Sequence, residues 1–353
     1  MSAAARLWAP VASLMGALAA GACEDPAPAC ETVVGNVCAM AGSGELGFNG
    51  EGLRPRETDL YLPSAARRGP DERIYVMDFN NQRLRRIDDD GLVLTIGYLI
   101  LEAERVDLVV EGERRVPARV VAYDLASGFG LLQALAPLHV APVVLGRSNS
   151  ISGDEPLLVA SGGADGELSV ARLVSQRAFS GYWEYHIDAA LFTVPPRTDH
   201  SGAGLFNLDG ELLGIGSLVV ADAMGPGTGR LPGNMFVPVD LLKPILAEMR
   251  ARGASRGSTR AWLGLNCAEN EGEVRVIRVT RESPAELAGV QPGDRILRID
   301  GAEVGALETL YKTLWRDGAE RDVLLTIRRA GEVQTLTVHA LDRMKTLRKP
   351  QGI

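Results

Sequence analysis

Residues 200–215 read HSGAGLFNLDGELLGI, in which Ser201 precedes a glycine and two short apolar runs flank the turn-forming residues 207–210. Similar short apolar runs separated by turns continue on both sides of this stretch, from Gly91 to Val220, with no long helical pattern between them. Strands this short and this closely spaced predict an antiparallel β-barrel or sandwich. We therefore expect the middle of the chain to be mainly β.

The bulk composition limits the classes of function that the chain can have. Its 353 residues are enough for two or three domains, and its formal net charge is -8. A protein that tracks nucleic-acid phosphates needs clustered Lys and Arg, and no basic stripe is present, so we expect no nucleic-acid partner. The cysteines show no paired metal-ligand spacing, so no metal and no other cofactor is expected. Cys30 and Cys38 could form a disulfide in an oxidising compartment.

Residues 1–22 have the pattern of a secretory signal peptide. A positive charge at Arg6 precedes an apolar run from Leu7 to Ala20, and small residues lead to Cys23. An uncleaved membrane anchor fits less well, because the run is short and interrupted. Residues 18–23 also resemble a bacterial lipobox, with Ala20 where leucine is usual, so the pattern leaves open a lipid anchor at Cys23. We expect export to the cell envelope.

Residues 23–73 form a Gly-rich segment that leads into a hairpin pattern. Residues 40–52 read MAGSGELGFNGEG, and residues 74–88 read IYVMDFNNQRLRRID, which predicts two strands around a turn at Asn80-Asn81. Together they resemble one NHL-type propeller repeat. A propeller needs about four to eight blades and no second copy is present, so a propeller that binds carbohydrate or protein is a weaker alternative. Since an isolated hairpin is barely stable, we expect it to pair with the β domain, assigned to residues 74–253.

Helix and turn signals set the remaining boundaries. Residues 237–253 read VPVDLLKPILAEMRARG, an amphipathic helix pattern that Gly253 should end, and a polar linker follows at residues 254–260. Residues 261–344 predict a compact α+β domain of about 85 residues, with a tail at residues 345–353. Its expected elements are strands near 274–279, 295–299, 323–328 and 333–339 and a helix near 308–315.

Five stretches of the β domain resemble the HtrA/Deg serine proteases. They are DGLVLT at 90–95, RVPARVV at 115–121 with Asp124 after it, HIDAA at 186–190, HSGAGL at 200–205 and GNMFVPV at 233–239. The resemblance implies a trypsin-like double β-barrel, a periplasmic or lipid-anchored location, and a homo-oligomer, since HtrA relatives are often trimers. A shared fold does not by itself establish activity.

The residues that such a protease needs for catalysis are incomplete in this chain. A serine hydroxyl needs a histidine to accept its proton, a carboxylate to orient that histidine, and backbone donors for the oxyanion. Continuing the resemblance, Ser201 stands at the nucleophile, Tyr98 at the histidine and Gly128 at the aspartate. Asp199 replaces a glycine of the oxyanion loop. His200 is a weak substitute base, because neighbouring side chains in an extended loop point apart.

The last domain resembles a PDZ domain. The stretch 262–265, WLGL, is similar to the loop that binds a peptide carboxylate, and residues 283–301 match the most recognisable part of the family. The resemblance implies that a peptide adds as a strand beside residues 265–267, with the amides of Leu263, Gly264 and Leu265 on its carboxylate. Leu310 and Leu314 either line the pocket for the terminal side chain or only fill the core.

Two hypotheses about function follow. The first is a pseudoprotease of the cell envelope, with impaired or absent protease activity, that binds polypeptide C-termini or unfolded proteins through its PDZ domain. The second is an active serine endopeptidase that uses Ser201 in protein quality control. The first hypothesis is favoured because the PDZ pattern is intact beside an incomplete catalytic triad.

Overall fold

The computed structural model describes ten ranges of the chain. No helix within them is long and apolar enough to cross a membrane. The signal pattern, Cys23 and the Cys30–Cys38 pair lie outside the described residues. The described ranges are 41–50, 58–68, 74–87, 91–110, 114–136, 138, 140–153, 155–162, 168–226 and 228–347.

The predicted hairpin belongs to a small sheet at the amino-terminal side of the β domain. Strands β1 (Pro63–Arg68), β2 (Ile74–Asp78) and β3 (Arg83–Ile87) form a three-stranded antiparallel sheet. Among the described strands, none of the three pairs with the β domain, so the expected pairing was wrong. Besides β3, β2 pairs with β1, whose sequence PSAARR has no apolar alternation by which it could have been recognised.

The first half of the β domain is a four-stranded antiparallel sheet in the order β4-β7-β6-β5. Alternate residues of these strands face inward, and Ile96 and Phe129 are almost completely buried. Among the described strands, the first half of the expected double barrel is an open sheet and the second half is a closed barrel. The four strands are β4 (Leu92–Ile96), β5 (Val106–Val110), β6 (Arg114–Tyr123) and β7 (Phe129–Ala134).

The second half is a closed six-stranded barrel in the order β10-β13-β12-β11-β8-β9. Its interior is filled by fully buried side chains such as Phe192, Leu205 and Phe236. Helix α1 (Leu246–Arg252) follows, and Gly253 ends it with a left-handed φ of 82°, as the sequence predicts. The barrel strands are β8 (Pro156–Ala160), β9 (Leu168–Gly181), β10 (Tyr185–Val194), β11 (Gly204–Phe206), β12 (Leu212–Val220) and β13 (Gly233–Pro238).

The carboxy-terminal domain is a sheet in the order β14-β20-β19-β17-β16-β15, with β18 paired to β17, around its own apolar core. Strand β15 lies at an edge of this sheet, and the space between β15 and α3 is called the groove below. The elements are β14 (Ala261–Trp262), β15 (Leu265–Asn270), β16 (Glu273–Val279), α2 (Pro284–Leu287), β17 (Arg295–Ile299), β18 (Ala302–Glu303), α3 (Leu307–Leu314), β19 (Arg321–Arg329), β20 (Glu332–Asp342) and α4 (Arg343–Thr346).

The linker between the two domains is held against the first sheet by Asp124. This buried carboxylate accepts hydrogen bonds from the Ser127 hydroxyl at 2.6 Å, the Ser258 hydroxyl at 2.5 Å and the Ser255 hydroxyl. Burial alone would raise the pKa of Asp124, but the bonds from these three serines hold the pKa below its ordinary value. The residues expected to form a polar linker are therefore fixed in place.

Replacing Asp124 by asparagine should destabilise the protein at pH 7 by about 1–3 kcal/mol, because a charged acceptor of several hydrogen bonds is lost. The native carboxylate has a lowered pKa, so its contribution is complete above the unfolded pKa and disappears as the pH falls through the folded value. Urea unfolding at several pH values would measure this. Asp209→Asn, at an exposed position, is the control, and a difference between the two variants that does not shrink in acid would contradict the assignment.

Candidate functional site

Ser201 lies on a tight turn at the entrance to β11. The turn is closed by hydrogen bonds from Gly202 N to Gly216 O, at 2.9 Å, and from Ala203 N to His200 O, at 3.0 Å. Gly202 has a φ of 79°, and a Cβ at Gly216 would come within 1.9 Å of His200 O. Both glycines are therefore required by the backbone, and together they leave Ser201 exposed to solvent.

Tyr98 occupies the position next to Ser201 that the sequence predicts for it. It lies in the 3-10 turn Gly97–Leu99, directly after β4. Its hydroxyl oxygen is 2.7 Å from Ser201 Oγ and 2.6 Å from the carbonyl oxygen of the buried residue Ser217. A phenol thus contacts the candidate nucleophile.

The tyrosine hydroxyl cannot replace an imidazole as a base. Its single proton can go to Ser217 O or to Ser201 Oγ, and a carbonyl oxygen can only accept. If the proton goes to Ser217, the neutral phenol oxygen accepts from Ser201 but is far too weak a base to remove the proton. Ionisation of Tyr98 does not help, because burial raises the pKa of Tyr98 above its ordinary value near 10, against a smaller opposing effect of the Ser201 bond.

Gly128 lies beside the Tyr98 turn, in surroundings that would strain any side chain at this position. Gly97 N donates to Gly128 O at 2.7 Å, which joins the two segments. Gly128 has a φ of 84°, and a Cβ there would lie 3.0 Å from the Tyr185 hydroxyl. That hydroxyl donates to Ser127 O at 2.9 Å. A tyrosine side chain thus fills the space next to the backbone position where the family has its orienting aspartate.

His200 and Asp199 both point away from Ser201. His200 Nδ1 lies 3.1 Å from the carbonyl oxygens of Arg197 and Thr198, and within the described residues His200 makes no hydrogen bond to Ser201. The Asp199 carboxylate is paired with Arg197, and the hydrogen bond from Arg197 holds the pKa of Asp199 far below its ordinary value. An ionised carboxylate two residues before Ser201 gives no stabilisation to a neighbouring oxyanion.

The predicted carboxylate-binding loop holds a carboxylate of this same chain. Glu184, in the turn between β9 and β10, places Oε1 2.8 Å from Gly264 N and 2.7 Å from Leu265 N, and its Oε2 lies 3.2 Å from Leu263 N. All three amides named by the sequence therefore donate to one side chain. Trp262, at the start of the same loop, lies under the guanidinium of Arg343, 4.5 Å from the ring centroid.

The backbone and the charge of Glu184 are both unusual. Its φ is 55°, a left-handed conformation that costs a non-glycine residue about 1–2 kcal/mol. Burial raises the pKa of Glu184 to about 7, although the three amides and Arg343 act in the opposite direction. The loop thus binds a carboxyl group whose ionisation is disfavoured by its burial.

The rest of the turn also contacts the groove. Cys267 N, on β15, donates to Tyr182 O at 2.8 Å. Across the groove, the Tyr311 hydroxyl of α3 donates to Gly181 O at 2.8 Å and accepts from Glu184 N at 3.2 Å. The turn therefore lies between the edge strand and the helix.

Leu310 and Leu314 are part of the core of the carboxy-terminal domain. They are 2% and 1% exposed and belong to its apolar cluster. Of the two roles that the sequence left open for these leucines, the structure thus places them in the core. The residue of α3 that contacts the groove contents is the intervening Tyr311.

A cluster of His186, Asp188 and Glu308 is the candidate metal-binding group among the described residues. Lys312 Nζ lies 2.7 Å from a carboxylate oxygen of Asp188 and 2.7 Å from one of Glu308. The ammonium already forms an ion pair with each carboxylate, so the geometry fits an ion-pair network between the two domains better than a metal site.

Sequence reasoning missed the groups that complete both sites. Ser217 contributes only a carbonyl oxygen, which any residue could supply. Glu184 ends a turn and Tyr185 begins β10, in a stretch, YWEY at 182–185, that matches no motif. Their roles come from contacts between segments far apart in the chain. No signal in the sequence could have indicated them.

Replacing Gly128 by aspartate, which reintroduces the orienting carboxylate, should destabilise the protein by roughly 1–3 kcal/mol because of the left-handed φ and the contact with Tyr185. Urea unfolding of the variant and of the native protein measures the change. The matched control is Gly153→Asp, at a position with no heavy atom within 4 Å of an added Cβ and no positive φ. Equal effects of the two changes would contradict this account.

Comparisons with known proteins match the β domain and the carboxy-terminal domain separately. A family model described as "Trypsin-like peptidase domain" matches residues 86–215, and one described as "PDZ domain" matches residues 261–340. The chain is 27% identical over 268 residues to the "Probable periplasmic serine endoprotease DegP-like" of Hahella chejuensis, covering 71% of this chain and 55% of that protein. It is 25% identical over 278 residues to "Periplasmic serine endoprotease DegP" of Escherichia coli, covering 70% and 56%.

The chain thus spans about half the length of the curated relatives it matches. A solved structure, "HtrA-type protease AlgW with tripeptide", is 19% identical with a TM-score of 0.46, covering 78% of this chain and 89% of that one. The expected fold class is confirmed by the family models and by the strand content of the structure. The chain contains a trypsin-like peptidase domain followed by a PDZ domain, and it is similar to the HtrA/DegP-type serine proteases.

Proposed function

We propose that this protein binds polypeptide C-termini or unfolded polypeptide through its PDZ domain and does not hydrolyse peptide bonds. The observation that carries the second part is the contact of the Tyr98 hydroxyl with Ser201 Oγ and Ser217 O. The hydroxyl of a tyrosine takes the place at Ser201 that a catalytic base would need. A pseudoprotease fits this geometry better than a peptidase.

Catalysis would require both proton transfer and orientation of the group that performs it. Near neutral pH, a serine needs a base with a pKa not far from 7, and Tyr98 is a much poorer acceptor. A histidine at position 98 would still lack a carboxylate, because Gly128 has none and Tyr185 fills the space beside it. Loss of triad members typically lowers turnover by several powers of ten.

The peptide-binding half of the proposal rests on the loop at Trp262–Leu265 and on the edge strand β15. Three amides of the loop converge on one carboxylate oxygen, and the amide of Cys267 points into the same groove. Such an arrangement suits the free carboxylate of a peptide that adds to a sheet edge as an extra strand. The occupant inferred from this chemistry is an extended polypeptide with a free C-terminus.

The cellular location is part of the proposal. The relatives in H. chejuensis and E. coli are named periplasmic endoproteases, which supports a place in the cell envelope for this protein. A signal peptide at residues 1–22 is consistent with that location. A lipid anchor at Cys23 and a homo-oligomeric state stay predictions from the sequence.

An active serine endopeptidase is the competing function. It is favoured by the exposure of Ser201 on its glycine-supported turn and by the names of the relatives. The two functions differ in one measurable property, the reactivity of the Ser201 hydroxyl.

We expect the purified protein and its Ser201→Ala variant to leave reduced casein equally intact, because the described group in contact with Ser201 Oγ, the Tyr98 hydroxyl, is too weak a base to take its proton. A fluorophosphonate probe should fail to label the native protein under conditions that label an active relative such as the E. coli protein. Gel analysis of casein and of probe incorporation gives both readouts. Cleavage or labelling that disappears in the Ser201→Ala variant would overturn the proposal in favour of the endopeptidase.

Replacing Tyr98 by histidine should not produce activity, because the new imidazole would have no carboxylate to orient it. Casein cleavage and probe labelling should stay at the level of the Ser201→Ala variant. Tyr98→Phe, which removes only the hydroxyl, is the matched control and should behave in the same way. Labelling of Ser201 in the histidine variant alone would show that the orienting position is not needed.

A further inference from the structure

The turn Gly181–Glu184 contacts the groove in the way that a peptide end would. Leu265 N donates to the Glu184 carboxylate and Cys267 N donates to Tyr182 O. Amides two residues apart on a strand point to the same side, so these two donors face one occupant of the sheet edge. The carboxylate and a carbonyl two residues before it are held together, as in strand addition by a chain end.

The opposite wall of the groove holds the same turn independently. The Tyr311 hydroxyl bonds to both ends of the turn, at Gly181 O and at Glu184 N. Tyr311 is fully buried, so this hydroxyl has a fixed position. Contacts from β15 on one side and α3 on the other thus place the turn where an added strand would lie.

Aromatic packing within the turn stabilises its conformation. The Trp183 ring is stacked on Tyr185, with 5.8 Å between ring centroids and an angle of 7° between their planes. A Cβ at Gly181 would come within 2.9 Å of the Trp183 ring, so a glycine is needed for this packing. Beside the turn, Lys312 of α3 pairs with Asp188 of β10 and adds an electrostatic contact between the domains.

We propose that the β9–β10 turn is an internal ligand of the PDZ domain, in which the Glu184 side chain takes the place of a peptide's terminal carboxylate. A polypeptide end then binds only when it displaces the turn. This inference rests on the proposed peptide-binding function and adds its regulation. Binding of a chain end and docking of the peptidase domain onto the PDZ domain exclude each other.

The test compares Glu184→Ala with Glu271→Ala in the full-length protein. Both residues lie in hairpin turns with left-handed φ, 55° and 49°, so both variants lose one carboxylate from the same backbone conformation. Glu271 lies in the β15–β16 turn. The probe is a fluorescent ten-residue peptide that ends in Tyr-Trp-Val, which places a tyrosine two residues before the carboxylate as Tyr182 stands before Glu184. The same peptide with an amidated end is the ligand control.

Glu184→Ala should bind the free-acid peptide about tenfold more tightly than the native protein, as expected when an internal competitor populated at roughly ten to one is removed. Glu271→Ala should bind like the native protein, and the amidated peptide should bind none of them. Measurable binding of the free-acid peptide with equal affinities for the Glu184→Ala and Glu271→Ala proteins would overturn the inference.

Hydrogen exchange of residues 262–267 gives a second readout that needs no peptide. Exchange in this stretch should become faster in Glu184→Ala, because the amides of Leu263, Gly264 and Leu265 lose their acceptor. Unchanged exchange would overturn the inference whatever the peptide does. Faster exchange without binding of any peptide would instead contradict the proposed peptide-binding function and leave the internal contact in place.

Discussion

Backbone amides that converge on one point need an acceptor, and this requirement organises the carboxy-terminal half of the molecule. Leu263, Gly264 and Leu265 all direct their N–H groups to one place, and buried donors without a partner are costly. The peptidase domain supplies the acceptor through Glu184. The position of one domain on the other therefore depends on a carboxylate that would be an unremarkable surface group in the isolated barrel.

A second carboxylate, that of Asp124, fixes the linker between the two domains. Asp124 binds the linker through Ser255 and Ser258, so the chain leaves the peptidase domain along a defined path. Glu184 then holds the PDZ domain at the far end of that path, and Lys312 pairs with Asp188 beside it. Two buried acceptors and one exposed ion pair thus join two domains that each have their own apolar core.

At the candidate catalytic site, polar side chains likewise supply hydrogen-bond partners to buried backbone groups. The Tyr98 hydroxyl bonds to Ser217 O, and the Tyr185 hydroxyl bonds to Ser127 O. Both are buried carbonyl oxygens that would otherwise lack these donors. The two tyrosines stabilise the turn around Ser201 and Gly128 without providing a base or a carboxylate, so the same contacts that maintain the fold support the loss of hydrolysis that we propose.

The sequence alone predicted the fold class, the order of the domains and the stop of α1 at Gly253, because these depend on periodicity, turn chemistry and local motifs. The interest of positions 98, 128 and 201 came from the resemblance to the HtrA/Deg proteases. The sequence did not show that β2 pairs with β1, since PSAARR carries no apolar alternation. The occupant of the PDZ groove was likewise decided only by the tertiary structure. Glu184 lies about 80 residues from the amides that it binds, and a lone glutamate in a turn looks like any solvated charge until folding brings those donors to it.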